Sequence, residues 1–269
     1  MSRLPVTYLT HGGGPWNEME DSMSDPAYQS LSTWLLEFGR DLSEKARSLL
    51  VISAHWEEAR PTLHYGEAPS MLYDYGGFPE HTYHLQWPAP GSPSLASRAD
   101  ELLKSAGFST GRETKRGYDH GTFVPMMVAF PDARLPVAQL SLVKGLDALT
   151  HWNIGKALAP LRDEGVAIIG SGMSYHNLRA LISGDPAIGR ISASFNQWLV
   201  NSATLVDPGL RREALVHWMT APGALESHPR SEHLTPLFAI AGAASDERGH
   251  ESWHARLLGA EVSCITYGA

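Results

Sequence analysis

The chain has 269 residues, of which 29 are acidic, 21 are basic and 13 are histidines, so its formal charge is −8 with histidine counted as neutral. Hydrophobic residues make up 43% and charged residues 19% of the chain, which excludes an intrinsically disordered protein. The acidic balance and the lack of any Lys- or Arg-rich run argue against a nucleic-acid partner or an anionic membrane surface.

The N-terminal half alternates short apolar runs with segments of helical periodicity, which is typical of a sheet covered by helices. The sequence predicts a strand at Val6–Thr10, a helix over about 26–48, a strand at 49–53 and a helix over about 94–105. The first strand follows the N-terminus directly, without the pattern of a signal peptide. No apolar stretch approaches the roughly 20 residues that span a bilayer, so we expect a cytoplasmic protein.

The C-terminal half continues the same alternation. Its predicted elements are a helix near 123–130, strands at 136–141 and 166–170, a helix over about 147–163, mostly helical structure to about 244 and a closing strand at 262–267. Repeats, heptads and low-complexity linkers are absent from the sequence. Residues 1–269 are therefore predicted to form a single α/β domain.

Several familiar site patterns are missing from the sequence. It contains no GxGxxG or GxxxxGK[ST] phosphate loop, no HExxH zinc motif and no GxSxG nucleophile elbow. The single cysteine, Cys264, permits no internal disulfide, and its place in the last predicted strand favours a small buried residue over a reactive thiol.

Histidine is the residue type that points to a site. Three separate strand-like runs are each followed by a loop-forming stretch that contains a histidine: His11, His55 and His176. Because groups at the carboxyl ends of parallel strands meet at one edge of a sheet, we expect these side chains to converge. His120 and His233 stand at predicted turns or helix starts and are further candidates.

The other histidines have no comparable context, and each single histidine can equally be a structural hydrogen bonder. We expect structural or solvent-facing roles for His64, His81, His84, His151, His217, His250 and His254, with His228 intermediate because it lies five residues from His233. Imidazole binds Fe, Zn, Cu and Ni, and there is no second cysteine for a thiolate site. A divalent ion held by histidine and oxygen groups is therefore the predicted cofactor.

The motifs together resemble the class III, LigB-type extradiol ring-cleavage dioxygenases, and most closely their 4,5-DOPA dioxygenase-like branch. They occur in the family's order from residue 9 to about 240: THGGGP (10–15), SAHW (53–56), DYGGFP (74–79), PAPGSP (88–93), GYDHG (117–121), GSG (170–172), HNLR (176–179), EH (232–233) and PL (236–237). The resemblance implies a central, mostly parallel or mixed sheet with helices on both faces in a three-layer domain.

The same resemblance implies roles for individual residues. His11, His55 and His233 match the metal ligands, although Glu232 stands next to His233 and leaves the third ligand open. His176 matches the catalytic histidine and is a possible fourth ligand, and His120 matches a second catalytic histidine. The implied reaction is Fe(II)-dependent cleavage of a catechol, DOPA-like or other, by O2 to a muconic-semialdehyde-type product. Zn(II) can occupy such a site after purification.

The Gly-, Pro- and aromatic-rich segment 71–93 is the predicted substrate contact, although a purely structural loop fits the pattern equally well. Its candidate wall residues are Tyr73, Tyr75, Phe78 and Trp87, and a substrate carboxylate could pair with Arg179 or Arg116.

Two other functions use the same residues. One is a zinc hydrolase with a metal-activated water, and the other is a non-catalytic metal-binding protein on the same scaffold. Nothing in the sequence resembles a dedicated dimerisation element.

Overall fold

An eight-stranded mixed sheet forms the centre of the computed structural model, which describes residues 3–268. Its strands are β1 (Val6–Thr10), β2 (Ser48–Glu58), β3 (Thr62–His64), β4 (Gly111–Glu113), β5 (Val137–Val143), β6 (Val166–Gly172), β7 (Gly249–Leu257) and β8 (Ala260–Tyr267). They are arranged in the order β4-β3-β5-β2-β6-β1-β8-β7.

The centre of the sheet is parallel and one edge is antiparallel. β6 lies between β1 and β2 and runs parallel to both, while β2 also pairs in parallel with β5. The hairpin of β7 and β8 joins β1 in antiparallel orientation. The carboxyl ends of β1, β2 and β6 therefore meet at one edge of the sheet, as the sequence predicts.

Helices cover both faces of the sheet. They are α1 (Glu20–Ser24), α2 (Pro26–Ser43), α3 (Pro93–Ser105), α4 (His120–Ala129), α5 (Ala148–Leu158), α6 (Leu178–Ser183), α7 (Ile188–Ala203), α8 (Pro208–Val216), α9 (Ala224–Ser227) and α10 (Thr235–Ala243). Short 3₁₀ helices occupy Trp16–Glu18, Glu80–His84, Ala159–Glu164 and Trp218–Thr220.

The core is divided by the sheet into two apolar clusters. Alternate residues of β2 enter different clusters, with Leu50 and Ile52 on one face and Leu49 and Val51 on the other. Because successive side chains of a strand point to opposite faces, burial on both faces requires a continuously apolar strand. This explains why the β2 sequence shows no apolar–polar alternation and confirms the single three-layer α/β domain.

Some predicted boundaries were wrong. The helix predicted over 26–48 ends at Ser43, and β2 begins at Ser48, one residue before its predicted start. The helix predicted to reach 163 becomes a 3₁₀ helix from Ala159, where Pro160 removes a backbone donor. Strands β3, β4 and β7 were not predicted from the sequence.

The second strand is longer than predicted, and this changes the position of His55. Instead of following the strand, His55 lies inside β2, beyond the point where its pairing with β5 shifts register, between Ile52 and Glu57. Such an irregularity lets a strand redirect one of its side chains.

In the part of the chain from residue 3 to 268, no helix combines the length and apolar character needed to cross a membrane.

Candidate metal centre and active site

The first two histidines are positioned by adjacent regions of the sheet edge. His11 follows β1, and its backbone N–H donates to the carbonyl of Gly172 on β6 at 3.0 Å. The backbone N–H of His55 donates to Ser53 Oγ at 3.2 Å, and Arg116 donates to the His55 carbonyl at 2.9 Å. These hydrogen bonds fix the backbone of each of the two histidines.

Two further histidines stand at helix starts. His120 is the first residue of α4, whose N-cap Asp119 accepts the Thr122 N–H at 3.0 Å. His233 precedes α10, and its carbonyl accepts from the hydroxyl of Tyr8 at 2.7 Å and from the N–H of Met173 at 3.1 Å. His233 is thus fixed to β1 and to the end of β6.

The imidazoles of these four residues form one cluster. The Nε2 atoms of His11 and His55 are 3.3 Å apart. The ring centroid of His233 lies 5.0 Å from that of His11 and 4.9 Å from that of His55. The ring of His120 lies 3.9 Å from His55 and 5.4 Å from His11.

The fifth histidine stacks on this cluster. The ring of His176 is nearly parallel to that of His233, with centroids 3.3 Å apart and planes inclined by 19°. The His176 N–H donates to the carbonyl of Ser227 at 3.0 Å, and the next residue, Asn177, caps α6. All five histidines that the sequence singles out therefore lie together.

Burial keeps the inner histidines neutral. It lowers the pKa of His11, His55 and His233 well below the usual range of the side chain, and the neighbouring imidazoles lower it further. A neutral imidazole offers a lone pair, which is the form that binds a metal ion.

The ligand atoms fit a cation. Nitrogen and oxygen atoms of His11, His55 and His120 all lie within 4.8 Å of one another, and so do those of His176, Glu232 and His233. Two ligands of one ion, each about 2.1 Å from it, are separated by roughly the 3.3 Å found between the His11 and His55 Nε2 atoms. His233 Nε2 is buried without a hydrogen-bond partner, a cost that a bound cation would remove. The described residues therefore contain a histidine group that could hold a metal.

Two carboxylates lie against the outer edges of the imidazoles. Asp74 Oδ1 accepts from His120 Nδ1 at 2.7 Å, and its Oδ2 is 3.5 Å from His55 Nδ1. Glu232 Oε1 accepts from His233 Nδ1 at 3.0 Å and is 3.2 Å from His176 Nδ1. Burial is the largest single influence and would raise the pKa of both carboxyls, but histidine hydrogen bonds, backbone hydrogen bonds and nearby positive charge together outweigh it, and the net pKa is lowered.

The aromatic segment borders the site through some of its predicted wall residues only. The ring of Tyr75 is 5.6 Å from His120, and Phe78 packs so closely on Gly14 that a Cβ there would lie 2.5 Å from its ring. Tyr73 packs behind Tyr75 and donates its hydroxyl to the carbonyl of Leu85. The expectation for Trp87 was wrong, because it is buried and donates to the carbonyl of Phe130.

The two candidate arginines are in different environments. Arg116 is bound to buried Asp119 at 3.1 Å and to the carbonyl of His55. Arg179 is exposed on α6, three residues after His176.

Several residues outside the cluster have structural surroundings. His151 accepts from the N–H of Val143 and donates to the carbonyl of Asp147, so it is structural as predicted. His228 is fully buried and donates to the carbonyl of Ser174. Cys264 is a buried residue of β8, also as predicted, and burial raises its thiol pKa to about 12.

No role for Asp74 was predicted from the sequence. The residue was visible within a motif, but no local pattern connects it with His120, which lies 46 positions away. The neighbouring acid Asp119, which sequence proximity would pair with His120, instead caps α4.

Comparison with known proteins identifies similar chains over the whole length. The sequence profile described as the catalytic LigB subunit of aromatic ring-opening dioxygenase matches residues 1–265. A protein of Beta vulgaris named 4,5-DOPA dioxygenase extradiol is 37% identical over 260 residues, which cover 95% of this chain and 94% of the relative. A protein of the same name from Escherichia coli K12 is 34% identical, covering 90% of this chain and 86% of its own length.

A solved structure shares the fold. The crystal structure of an uncharacterized protein from Escherichia coli K12 superposes with a TM-score of 0.80 at 31% identity and covers 99% of this chain and 100% of that one. The family resemblance seen in the sequence motifs is thus confirmed over both sequence and fold.

Proposed function

The chain belongs to the LigB family of aromatic ring-opening dioxygenases and is an extradiol ring-cleavage dioxygenase, and from this premise we propose that it opens a catechol ring with Fe(II) and O2. The observation that carries the proposal is the convergence of five histidines at the carboxyl ends of β1, β2 and β6. The product would be a muconic-semialdehyde-type compound.

His11, His55 and His233 would hold the ion through their Nε2 atoms. His233 is preferred to Glu232 because both carboxylate oxygens already face a cation or a donor: Oε1 accepts from His233 Nδ1 at 3.0 Å and Oε2 lies 3.3 Å from the guanidinium of Arg230. The buried Nε2 of His233 faces neither and is free for an ion. His233 is preferred to His120 because its ring is nearly equidistant from those of His11 and His55. Three protein ligands leave positions for the two oxygens of a catechol and for O2.

Fe(II) bound at this site would pass electron density from the catecholate to O2, which Zn(II), lacking redox chemistry, cannot do. The chain's own groups supply proton transfer. His176, held at Nδ1 by Glu232, would accept a phenolic proton at Nε2. It would later return that proton to an oxygen atom of the reacting substrate. His120, held in the same way by Asp74, would bind or deprotonate the other hydroxyl.

The open side of the cluster would receive a flat aromatic ring. Phe78 and Tyr75 would contact the ring, and Tyr73 would support Tyr75 from behind. Arg179, exposed beyond His176, would be available to a substrate carboxylate such as that of DOPA. A panel of test substrates would therefore begin with DOPA, which the names of the relatives contain, and would include simpler catechols.

The test is oxygen uptake by the Fe(II)-reconstituted chain, prepared anaerobically and then mixed with aerated catechols. We expect O2 consumption together with a yellow ring-opened product for at least one catechol. No consumption with any member of a broad panel would overturn the proposal.

The zinc hydrolase alternative gives a different outcome in the same assay. Activity that is restored by Zn(II) and never by Fe(II) would identify a hydrolase, whereas zinc found after purification would not, because zinc exceeds Fe(II) in affinity for such sites.

A further inference from the structure

Each carboxylate beside the cluster is shared between two imidazoles of different proposed roles. Glu232 faces the Nδ1 atoms of His233, a proposed ligand, and His176, a proposed proton carrier. Asp74 faces the Nδ1 atoms of His55, a proposed ligand, and His120, a proposed proton carrier. The same pairing thus occurs twice, on elements far apart in sequence, although the Asp74–His55 contact, at 3.5 Å, is longer than the other three.

The carboxylates lie close enough to orient these rings. Glu232 and Asp74 have side chains only 15% and 21% exposed, so competing water is limited. The Oε1 atom of Glu232 lies 3.0 Å from His233 Nδ1 and 3.2 Å from His176 Nδ1, which brings both rings into the stacked arrangement. Asp74 Oδ1 also accepts the backbone N–H of His120 at 2.9 Å, so it fixes both backbone and ring.

Hydrogen bonding at Nδ1 decides which nitrogen of a neutral imidazole keeps the proton. An acceptor at Nδ1 holds the proton there and leaves the Nε2 lone pair free for an ion or a substrate proton. His11 provides an internal comparison, because its Nδ1 donates to the carbonyl of Gly12 at 3.0 Å and needs no carboxylate.

We infer that Asp74 and Glu232 are positioning residues, each of which sets the tautomer and orientation of one metal ligand together with one proton-transfer histidine. The inference rests on the proposed function because it takes His55 and His233 as ligands. We therefore expect loss of one carboxylate to disturb the two histidines that it contacts and to leave the two histidines of the other carboxylate unchanged.

The first measurement is the tautomeric state of the histidines by ¹⁵N NMR of the full-length, metal-free chain. In the wild type we expect the Nδ1–H form at His233 and His120. Glu232→Ala should turn His233 and His176 toward a mixture of tautomers and leave His120 unchanged, while Asp74→Ala should affect His120 and His55 only. Unchanged tautomers in both alanine variants would overturn the inference.

The second measurement is Zn(II) affinity by competition with a chelator. Removing such a hydrogen-bonded partner of a ligand typically weakens metal binding by about 10- to 100-fold. Glu232→Gln and Asp74→Asn keep the size and a carbonyl acceptor, so they should recover part of both the affinity and the tautomer. They also keep the test decisive if an alanine variant fails to fold.

Asp100→Asn is the matched control. Asp100 is a carboxylate of similar exposure, 18%, that pairs with Lys104 Nζ at 2.6 Å. In residues 3–268 it has no hydrogen bond or ion pair to a histidine. We expect wild-type tautomers and Zn(II) affinity, and an equal loss of affinity in this variant would contradict a specific role for the other two carboxylates. Since neither measurement uses O2 or a catechol, failure of the proposed reaction is recognised separately by the oxygen assay.

Discussion

The rings of His176 and His233 stack at 3.3 Å between centroids, although one follows β6 and the other precedes α10. The His233 ring also lies near both His11 and His55, with centroids 5.0 Å and 4.9 Å away. Two adjacent imidazoles can therefore have different roles, one as a ligand of an ion and the other as a carrier of substrate protons.

Alanine variants of His176 and His11 distinguish a proton carrier from a metal ligand. His176→Ala should keep most of the bound metal while kcat falls by roughly 10²- to 10⁴-fold, because a general acid–base group is lost. His11→Ala should lose metal and activity together. Metal content by mass spectrometry and steady-state oxygen uptake measure both. Equal loss of metal in the two variants would make His176 a ligand.

The third ligand is tested by a second pair of variants. His233→Ala should abolish stable metal binding, whereas His120→Ala should retain it, because the His120 ring lies beside His55 and 5.4 Å from His11. Stoichiometry after dialysis against a weak chelator measures the difference. The reverse ranking would show that His11, His55 and His120 form the ion site.

Gly172 gives a prediction about backbone packing. A Cβ at this position would lie 2.0 Å from the carbonyl oxygen of His233, so Gly172→Ala must displace the residue that we assign as a ligand. We expect a loss of about 1–3 kcal/mol in the free energy of unfolding and weaker Zn(II) binding. Urea unfolding and chelator competition measure the two effects.

Gly76→Ala is the control for that substitution. Gly76 is exposed and a Cβ there meets nothing within 4 Å, so stability and Zn(II) affinity should match the wild type. Wild-type metal affinity in Gly172→Ala would contradict the close packing at β6.

The aromatic wall is tested through Phe78. Phe78→Ala should raise KM by roughly 5- to 30-fold, because about 1–2 kcal/mol of ring contact is lost, and should change kcat less. Phe108→Ala removes a partly buried ring from the core on the far side of the sheet and should leave KM unchanged. An unchanged KM in Phe78→Ala would assign the segment a structural role only.

The buried His228 predicts a dependence of stability on pH. Burial lowers its pKa to about 4, whereas an unfolded histidine titrates near 6.5. Between these values the unfolded chain binds a proton that the folded chain does not, so stability falls as the pH decreases from about 6.5 toward 4. The full effect is about 3 kcal/mol.

His228→Gln removes this titration and keeps a donor for the carbonyl of Ser174. The free energy of unfolding in urea, measured at pH 7.5, 6 and 5 without metal, should fall less steeply in the variant than in the wild type. The other histidines contribute equally to both proteins, so their contributions cancel when the pH profile of the variant is subtracted from that of the wild type. Parallel pH profiles would show that His228 titrates alike in the folded and the unfolded chain, and would contradict a lowered pKa.

The sequence predicted those features of the fold and the site that depend on a short, continuous stretch of residues. An apolar run that ends in small residues and a histidine marks a strand and its carboxyl end, and His11 and His176 lie where that pattern predicts. Edge strand β7 was missed because only Gly249, Trp253 and Leu257 of its nine residues are buried, so its sequence has neither a continuous apolar run nor a strict apolar–polar alternation.

The partners of the histidines could not be predicted because they depend on distant pairing. Asp119 adjoins His120 in sequence yet binds the helix terminus, while Asp74 reaches His120 across 46 positions. Likewise, Glu232 and His233 are consecutive, and only the direction of each side chain distinguishes the proposed carboxylate support from the proposed ligand.

The bond between Tyr8 and the carbonyl of His233 spans 225 positions, and the N–H of His11 is bonded to Gly172. The proposed ion site is therefore assembled from residues far apart in the chain, and an N-terminal fragment that ends before His233 lacks one of the proposed ligands. During synthesis, a nascent chain that has emerged only to β6 would lack His233, so binding of the proposed ion would follow synthesis of the central strands rather than guide their formation. The complete site would accordingly form only inside a nearly finished fold.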